Sequence, residues 1–264
     1  MANHKSKTAL VTGAASGLGL ELAFLLAKDG YNLILIDIDA QKLDVAKHKI
    51  LHNHKIEITL LEKDLSKVNI AQEIYNDLMS TEIDVIVNNA GFGLFGTFHE
   101  TDWERGLQML NLHILTTTHL IKLFLPHMVE RGSGKILNLS SLAAFQPGPL
   151  MALYYASKAY ILSFSEAISN ELKGTGVTVT VLCPGPTKTD FQSVVSEDSS
   201  ENKISFNMAC PKQVAAYGYK AMQKGKVLSI PGGINKVLSF LPRLLTRKRA
   251  TKIVRKIQDK NREV

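Results

Sequence analysis

Seven apolar runs of strand length recur along the chain, at residues 8–11, 32–37, 56–61, 85–88, 135–140, 177–182 and 227–230. Val, Ile and Leu fill most of them without polar alternation, the pattern of strands covered by helices on both faces of a parallel sheet. Between them, at 18–28, 40–51, 103–129 and 156–172, apolar positions recur three and four apart and predict amphipathic helices. This alternation predicts an α/β fold: a doubly wound, three-layer αβα sandwich on a seven-stranded parallel sheet, with ligands beyond the carboxyl ends of the strands. Residues directly after strands are therefore the first candidates for chemistry. Residues 193–207 break the rhythm with five serines, two asparagines and three acids. Following the sixth strand, they read as a lid loop that shapes a substrate pocket.

At 264 residues and 45% apolar content, the chain reads as a single domain, 1–264. Cys183 and Cys210 have no C-x-x-C or metal-like spacing, which points to a reducing compartment. The short polar segment before the first strand and the lack of a long apolar run complete the expectation of a cytoplasmic protein. His48, His52 and His54 lie close together but have no closing ligand set, so no metal is expected.

The net charge of +7 is local, because residues 235–264 hold ten Lys and Arg against two acids, and the first 234 residues are within one charge of neutral. Without a recognition helix, finger or aromatic platform, this distribution argues against a nucleic-acid partner. Leu238, Leu241, Leu245, Ile253, Val254 and Ile257 recur among those cations, so the tail reads as a basic amphipathic helix. Its apolar stripe is expected to pack on its own domain or on a partner subunit. Contact with an anionic membrane surface, an acidic acyl carrier or CoA phosphates is the other reading. Trp103, at the head of a long helix, is expected in the core or at an interface.

Thr12-Gly13-Ala14-Ala15-Ser16-Gly17-Leu18-Gly19 joins the first strand to a helix. Glycines there permit a tight turn and close approach to a pyrophosphate, whose charge a helix N-terminus favours. Tyr154 and Lys158, four apart near the start of a predicted helix, project from one face. A phenol has a pKa of about 10, and lowering it by about 3 units requires roughly 4 kcal/mol, which a nearby ammonium helps to provide. Tyr154 could then exchange a proton with a substrate oxygen.

Taken in order, the G-x-x-x-G-x-G loop, Asn88-Asn89-Ala90-Gly91, Ser141, Tyr154-Tyr155-Ala156-Ser157-Lys158 and Pro184-Gly185-Pro186-Thr187-Lys188-Thr189 resemble the short-chain dehydrogenase/reductase family. The likeness covers nearly the whole chain. It implies a Rossmann-type fold that carries NAD(P)(H) and transfers hydride to or from a small-molecule alcohol or ketone. By this resemblance Gly13, Ser16, Gly17, Leu18 and Gly19 cradle the cofactor, and Asn89, Ala90 and Gly91 contact its adenosine side. Pro184, Gly185, Thr187 and Thr189 hold the nicotinamide carboxamide, while Lys158 holds the nicotinamide ribose. Ser141, thirteen residues before Tyr154, binds the reacting oxygen, with Ser140 its rival for that role. Asp64 and Leu65 fall where the family contacts adenine, although Asp64 read alone could simply cap a helix.

Asp37 ends the second strand, where a carboxylate accepts the ribose hydroxyls and repels a 2′-phosphate by about 4 kcal/mol at 4 Å. Neither Ser16 nor Ile38 offers a compensating cation, so NAD(H) is expected over NADP(H). His113 stands where relatives carry an Asn that supports the catalytic Lys, and Asn111 is a decoy two residues away. Imidazole can replace part of that amide's hydrogen bonding. Leu142, Ala143, Ala144, Phe145, Leu150 and Met151 make an apolar wall after Ser141 that suits a hydrophobic substrate. The tail resembles ketoacyl- and ketosteroid-reducing branches of the family, and a homodimer or homotetramer is implied. A non-catalytic NAD-binding regulator is the rival reading, against which an intact Ser141, Tyr154 and Lys158 argue.

Overall fold

A computed structural model describes residues 6–189 and 208–260. The elements run β1 (Thr8–Thr12), α1 (Gly17–Lys28), β2 (Asn32–Asp37), α2 (Ala40–Leu51), β3 (Ile58–Glu62), α3 (Ile70–Asp77), β4 (Val85–Asn88) and α4 (Trp103–Leu110). A π-helical turn (Asn111–Thr116) leads into α5 (Thr117–Glu130) and β5 (Gly134–Leu139). A 3-10 turn (Leu142–Phe145), α6 (Ala152–Glu171), β6 (Val177–Leu182), α7 (Pro211–Gln223) and β7 (Leu228–Ser229) follow. The described chain closes with α8 (Gly233–Phe240), a second 3-10 turn (Leu241–Leu244) and α9 (Arg247–Lys260).

The seven strands form one parallel sheet in the order β3-β2-β1-β4-β5-β6-β7, so the winding direction reverses between β1 and β4. That reversal opens a crevice at the carboxyl ends of the two strands, the place where such sheets bind ligands. Successive residues of β1 go to opposite sides. Ala9 and Val11 pack with Leu22 and Leu26 of α1 and Val214 and Met222 of α7. Leu10 packs with Ile74 of α3 and Leu120 and Phe124 of α5. Both faces being dry, the central strands need no polar alternation, which is why their sequences read as largely apolar runs, whereas the edge strand β3 leaves Thr59 and Glu62 exposed.

Several boundaries differ from those expected. The third strand is shifted to Ile58–Glu62 and the last is shortened to Leu228–Ser229. The helix expected over 103–129 is divided by the π-helical turn, and α6 begins at Ala152, so both Tyr154 and Lys158 lie within it. Trp103 is 56% exposed, which removes it from the core. The stripe of the tail divides as well. Val254 and Ala250 of α9 are buried, whereas Ile253 and Ile257 of the same helix face solvent, as do Leu238 and Leu241, α8 turning Ser239 toward the body instead. The lid loop expected at 193–207 lies outside the described residues.

Candidate active site

The glycine loop and the end of β4 are tied into one unit. The Asn89 side-chain amide donates to the carbonyls of Thr12 and Gly13, both at 3.0 Å. The Thr12 hydroxyl accepts from the Asn89 and Ala90 N–H groups. Gly13 has φ +63°, and a Cβ at Gly19 would stand 2.0 Å from the Gly13 carbonyl oxygen, so neither position tolerates a side chain. At the N-terminus of α1, Ser16 makes no side-chain cap and the first turn holds no acid. The positive end of that helix is therefore not neutralised by its own residues, and a glycine-walled, electropositive turn of this kind fits a diphosphate.

Other residues border this turn. Asp37 accepts from the Ala15 N–H at 3.0 Å and the Ile38 N–H at 2.8 Å, which pins its carboxylate between β2 and the glycine loop. A carboxylate has lone pairs for about four hydrogen bonds, so acceptor capacity is left for a ligand. After β6, Thr189 reaches the loop from the opposite side, its methyl 3.1 Å from where a Cβ of Gly17 would be. In the same segment Pro184 and Thr187 are buried, and the Thr187 hydroxyl donates to the Gly185 carbonyl at 2.9 Å.

Leu18 is partly buried and packs against the core. Leu65 is likewise buried in the core. The Asp64 carboxylate accepts from both the N–H and the hydroxyl of Ser66 and so closes a local turn, whereas the helix that follows, α3, has Asn69 at its N-cap, so Asp64 caps no helix.

The strands β5 and β6 and helix α6 bring the remaining candidates together. Ser141 caps the 3-10 turn that follows β5, its oxygen accepting from the Ala143 N–H at 3.1 Å. Its hydroxyl is also hydrogen-bonded to the Tyr154 phenol. Lys158 is buried one helical turn beyond, donating from Nζ to the Leu139 carbonyl at 3.0 Å and lying 5.7 Å from the centre of the Tyr154 ring. Ser140 has a different task, since its hydroxyl donates to the Lys158 carbonyl at 2.7 Å and fastens α6 to the end of β5.

Against the lowering expected from the sequence, burial pushes the Tyr154 phenol up to about 12, outweighing the opposing hydrogen bond from Ser141. The same cause brings the Lys158 ammonium down to about 8. At neutral pH Tyr154 thus carries its proton and most of Lys158 its charge.

His113 sits beneath this group, 2% exposed. Its Nε2 accepts from the Phe92 N–H at 3.2 Å, so the ring proton is on Nδ1 and donates to the Ser157 hydroxyl at 2.9 Å. Ser157 in turn donates to the Tyr154 carbonyl at 2.8 Å. Asn111 points elsewhere, donating to the Ser66 carbonyl. Burial first, and then the Lys158 charge, holds His113 well below the usual imidazole value.

In the unfolded chain this imidazole takes up a proton near pH 6.5, which the fold refuses. Its contribution to stability is therefore complete above about 6.5 and is lost as pH falls toward the folded-state value, by up to about 1.4 kcal/mol per pH unit. Urea unfolding of wild type and His113→Asn at pH 7.5 and 5.5 checks this: the wild type's advantage should shrink by about 1 kcal/mol or more at the lower pH. An unchanged difference would mean that His113 is charged in the fold.

Two contributors, Ser157 and Gln258, had weak or no sequence signal, and a third, Leu150, was expected in the apolar wall but not in its backbone conformation. Ser157 lies inside the Tyr154-to-Lys158 motif, but its bond to His113 spans 44 positions. Leu150, just before α6, has φ +67°, a strained conformation for a leucine, and its carbonyl accepts from the Gly96 N–H. Gln258 of α9 donates to the Tyr155 hydroxyl at 2.9 Å across 103 positions, which brings the tail beside the site.

The family described as short chain dehydrogenase matches residues 7–200 of the chain. The protein belongs to that family and is an NAD(P)-dependent oxidoreductase of the short-chain dehydrogenase/reductase type. It is similar to the ketoacyl reductase HetN of Nostoc, 31% identical over 93% of this chain and 85% of that protein. A second relative is mouse 17-beta-hydroxysteroid dehydrogenase type 3, 33% identical over 67% of this chain, which spans 58% of that protein's length. Among solved structures, a short-chain dehydrogenase from Sphingobium yanoikuyae in complex with NADPH superposes with a TM-score of 0.80. It covers 91% of this chain and 96% of its own at 24% identity, a likeness of fold.

Proposed function

We propose that the protein interconverts an apolar ketone, of ketoacyl or steroid-like type, and its secondary alcohol, using NAD(H) in preference to NADP(H). The observation that carries this reading is the convergence of Ser141, Tyr154 and Lys158 beside the crevice. The nicotinamide, when bound, supplies or accepts the hydride. Gly13, Gly17, Gly19 and the segments Asn89–Gly91 and Pro184–Thr189 are the residues that would hold the cofactor. Tyr154, protonated at neutral pH, gives its proton to the carbonyl oxygen, and the Ser141 hydroxyl hydrogen-bonds the same oxygen. The Lys158 ammonium favours the developing phenolate. His113, with both ring nitrogens engaged, holds the Tyr154 backbone through Ser157 and acts as a positioning residue.

The substrate class rests on the apolar wall of Leu142, Phe145, Leu150 and Met151 and on the names of the two relatives. Exposed Trp103 and Leu107 on consecutive turns of α4, with exposed Leu115 in the π-helical turn, suit a homodimer or homotetramer, and the free Cys183 and Cys210 suit a cytoplasmic setting. Turnover of a panel of apolar ketones and of sugars, with NADH and with NADPH, tests the reading. Activity confined to sugars would overturn the substrate class.

Cofactor choice has its own test. Asp37→Ala removes the carboxylate pinned beside the glycine loop, and the ratio of kcat/KM for NADH to that for NADPH is expected to fall by at least about tenfold, within the thousandfold that 4 kcal/mol represents. A wild-type enzyme that already prefers NADPH would show the ribose argument to be wrong.

A further inference from the structure

Helix α8 is mounted inside out. Ile234, Val237, Leu238 and Leu241 recur at the spacing of one helical face, the stripe that ordinarily packs into a core. Here all four are exposed, Ile234 by 78% and Val237 by 63%. The residues turned toward the protein are Asn235 and Ser239, one turn apart. Asn235 lies against Gly185 and donates to the Pro231 carbonyl at 2.7 Å, while Ser239 is buried. Phe240, the last residue of α8, and Leu244 of the following turn extend the apolar patch, both exposed.

The charge around this patch has one sign. Lys236, Arg243, Arg247, Lys248, Arg249 and Lys252 are all exposed. Between 233 and 259 the one acid is Asp259, which is paired with Arg255 at 2.8 Å. The patch also adjoins the candidate active site, because α8 packs on the 3-10 turn that Ser141 caps and Gln258 of α9 donates to Tyr155.

We infer that α8 and α9 form a docking surface for an anionic lipid bilayer, with the aliphatic side chains entering the interface and the Lys and Arg on the headgroups. A lipid surface presents negative headgroups directly above an apolar layer and matches both features at once. None of the described helices is long and apolar enough to cross a membrane, so the contact is with one face of the bilayer. This inference does not depend on which carbonyl compound the enzyme uses, since vesicle binding is read without turnover.

Flotation of the full-length protein with vesicles tests it, using phosphatidylcholine alone and phosphatidylcholine containing phosphatidylglycerol. Binding is expected to the anionic vesicles only and to weaken in about 0.5 M salt, where charges are screened within a few ångströms. Ile234→Ser/Val237→Ser/Leu244→Ser should lower partitioning by at least about tenfold, and Lys248→Glu/Lys252→Glu by a similar factor at low salt, at about fivefold for each cation lost. All five positions are exposed, so thermal stability should not change in either variant. Absence of binding, or equal binding to neutral vesicles, overturns the inference. So does a dimer that the serine variant dissociates without any vesicle binding, which would assign the patch to a second copy. A saturable complex with an acidic acyl carrier protein, again without vesicle binding, would assign it to a protein partner.

Discussion

Tyr154→Phe is expected to lower turnover by about a thousandfold or more while leaving NADH affinity within about twofold, as read by steady-state kinetics and fluorescence titration. The phenol is hydrogen-bonded to Ser141 and lies above the Lys158 side chain, and burial keeps its proton in place up to about pH 12. Phenylalanine retains the ring but removes the donor, and a positioned acid contributes about a hundred- to ten-thousandfold. Ser141→Ala should cost less, about a hundredfold, because it removes one hydrogen bond to the reacting oxygen. Retention of more than a tenth of wild-type turnover by Tyr154→Phe would take Tyr154 out of its assigned role.

Gly91→Ala is the second substitution with a large expected effect, and a rescue makes it diagnostic. A Cβ at residue 91 would stand 2.6 Å from Nε2 of His113, the atom that accepts from the Phe92 N–H. His113 is buried and held on its other nitrogen by Ser157, so it has no room to yield. Overpacking and the lost acceptor together should destabilise the fold by about 3 kcal/mol. Activity should fall as well, because the chain of bonds from His113 through Ser157 ends on the Tyr154 carbonyl. Replacing the imidazole in Gly91→Ala/His113→Ala vacates the contested space, and denaturant unfolding should then show the double variant more stable than Gly91→Ala alone. Strict additivity of the two substitutions would mean that residues 91 and 113 do not meet as described.

The alternation of apolar runs with helical segments was sufficient to predict the seven-stranded parallel sheet, because both faces of its central strands are dry and burial leaves its mark on nearly every residue there. The glycine loop, Asn89 and the Ser141, Tyr154 and Lys158 set were legible for a related reason. Each follows a strand or opens a helix, so local geometry brings it to the crevice. Other features depend on partners distant in sequence. The Asn111 amide, which donates to the Ser66 carbonyl 45 positions away, is one of them.

The sequence by itself thus determined the class of protein, the order of its elements and the residues at the ends of its strands, since these follow from burial and from short-range spacing. Tertiary structure alone decided which nitrogen of His113 carries the proton, because that depends on Phe92 and Ser157 approaching from two other elements. It decided too that the apolar stripe of α8 faces outward. Periodicity reports that a helix has an apolar face, but which face is buried is fixed by what the rest of the chain offers, here Gly185 and the Pro231 carbonyl to Asn235.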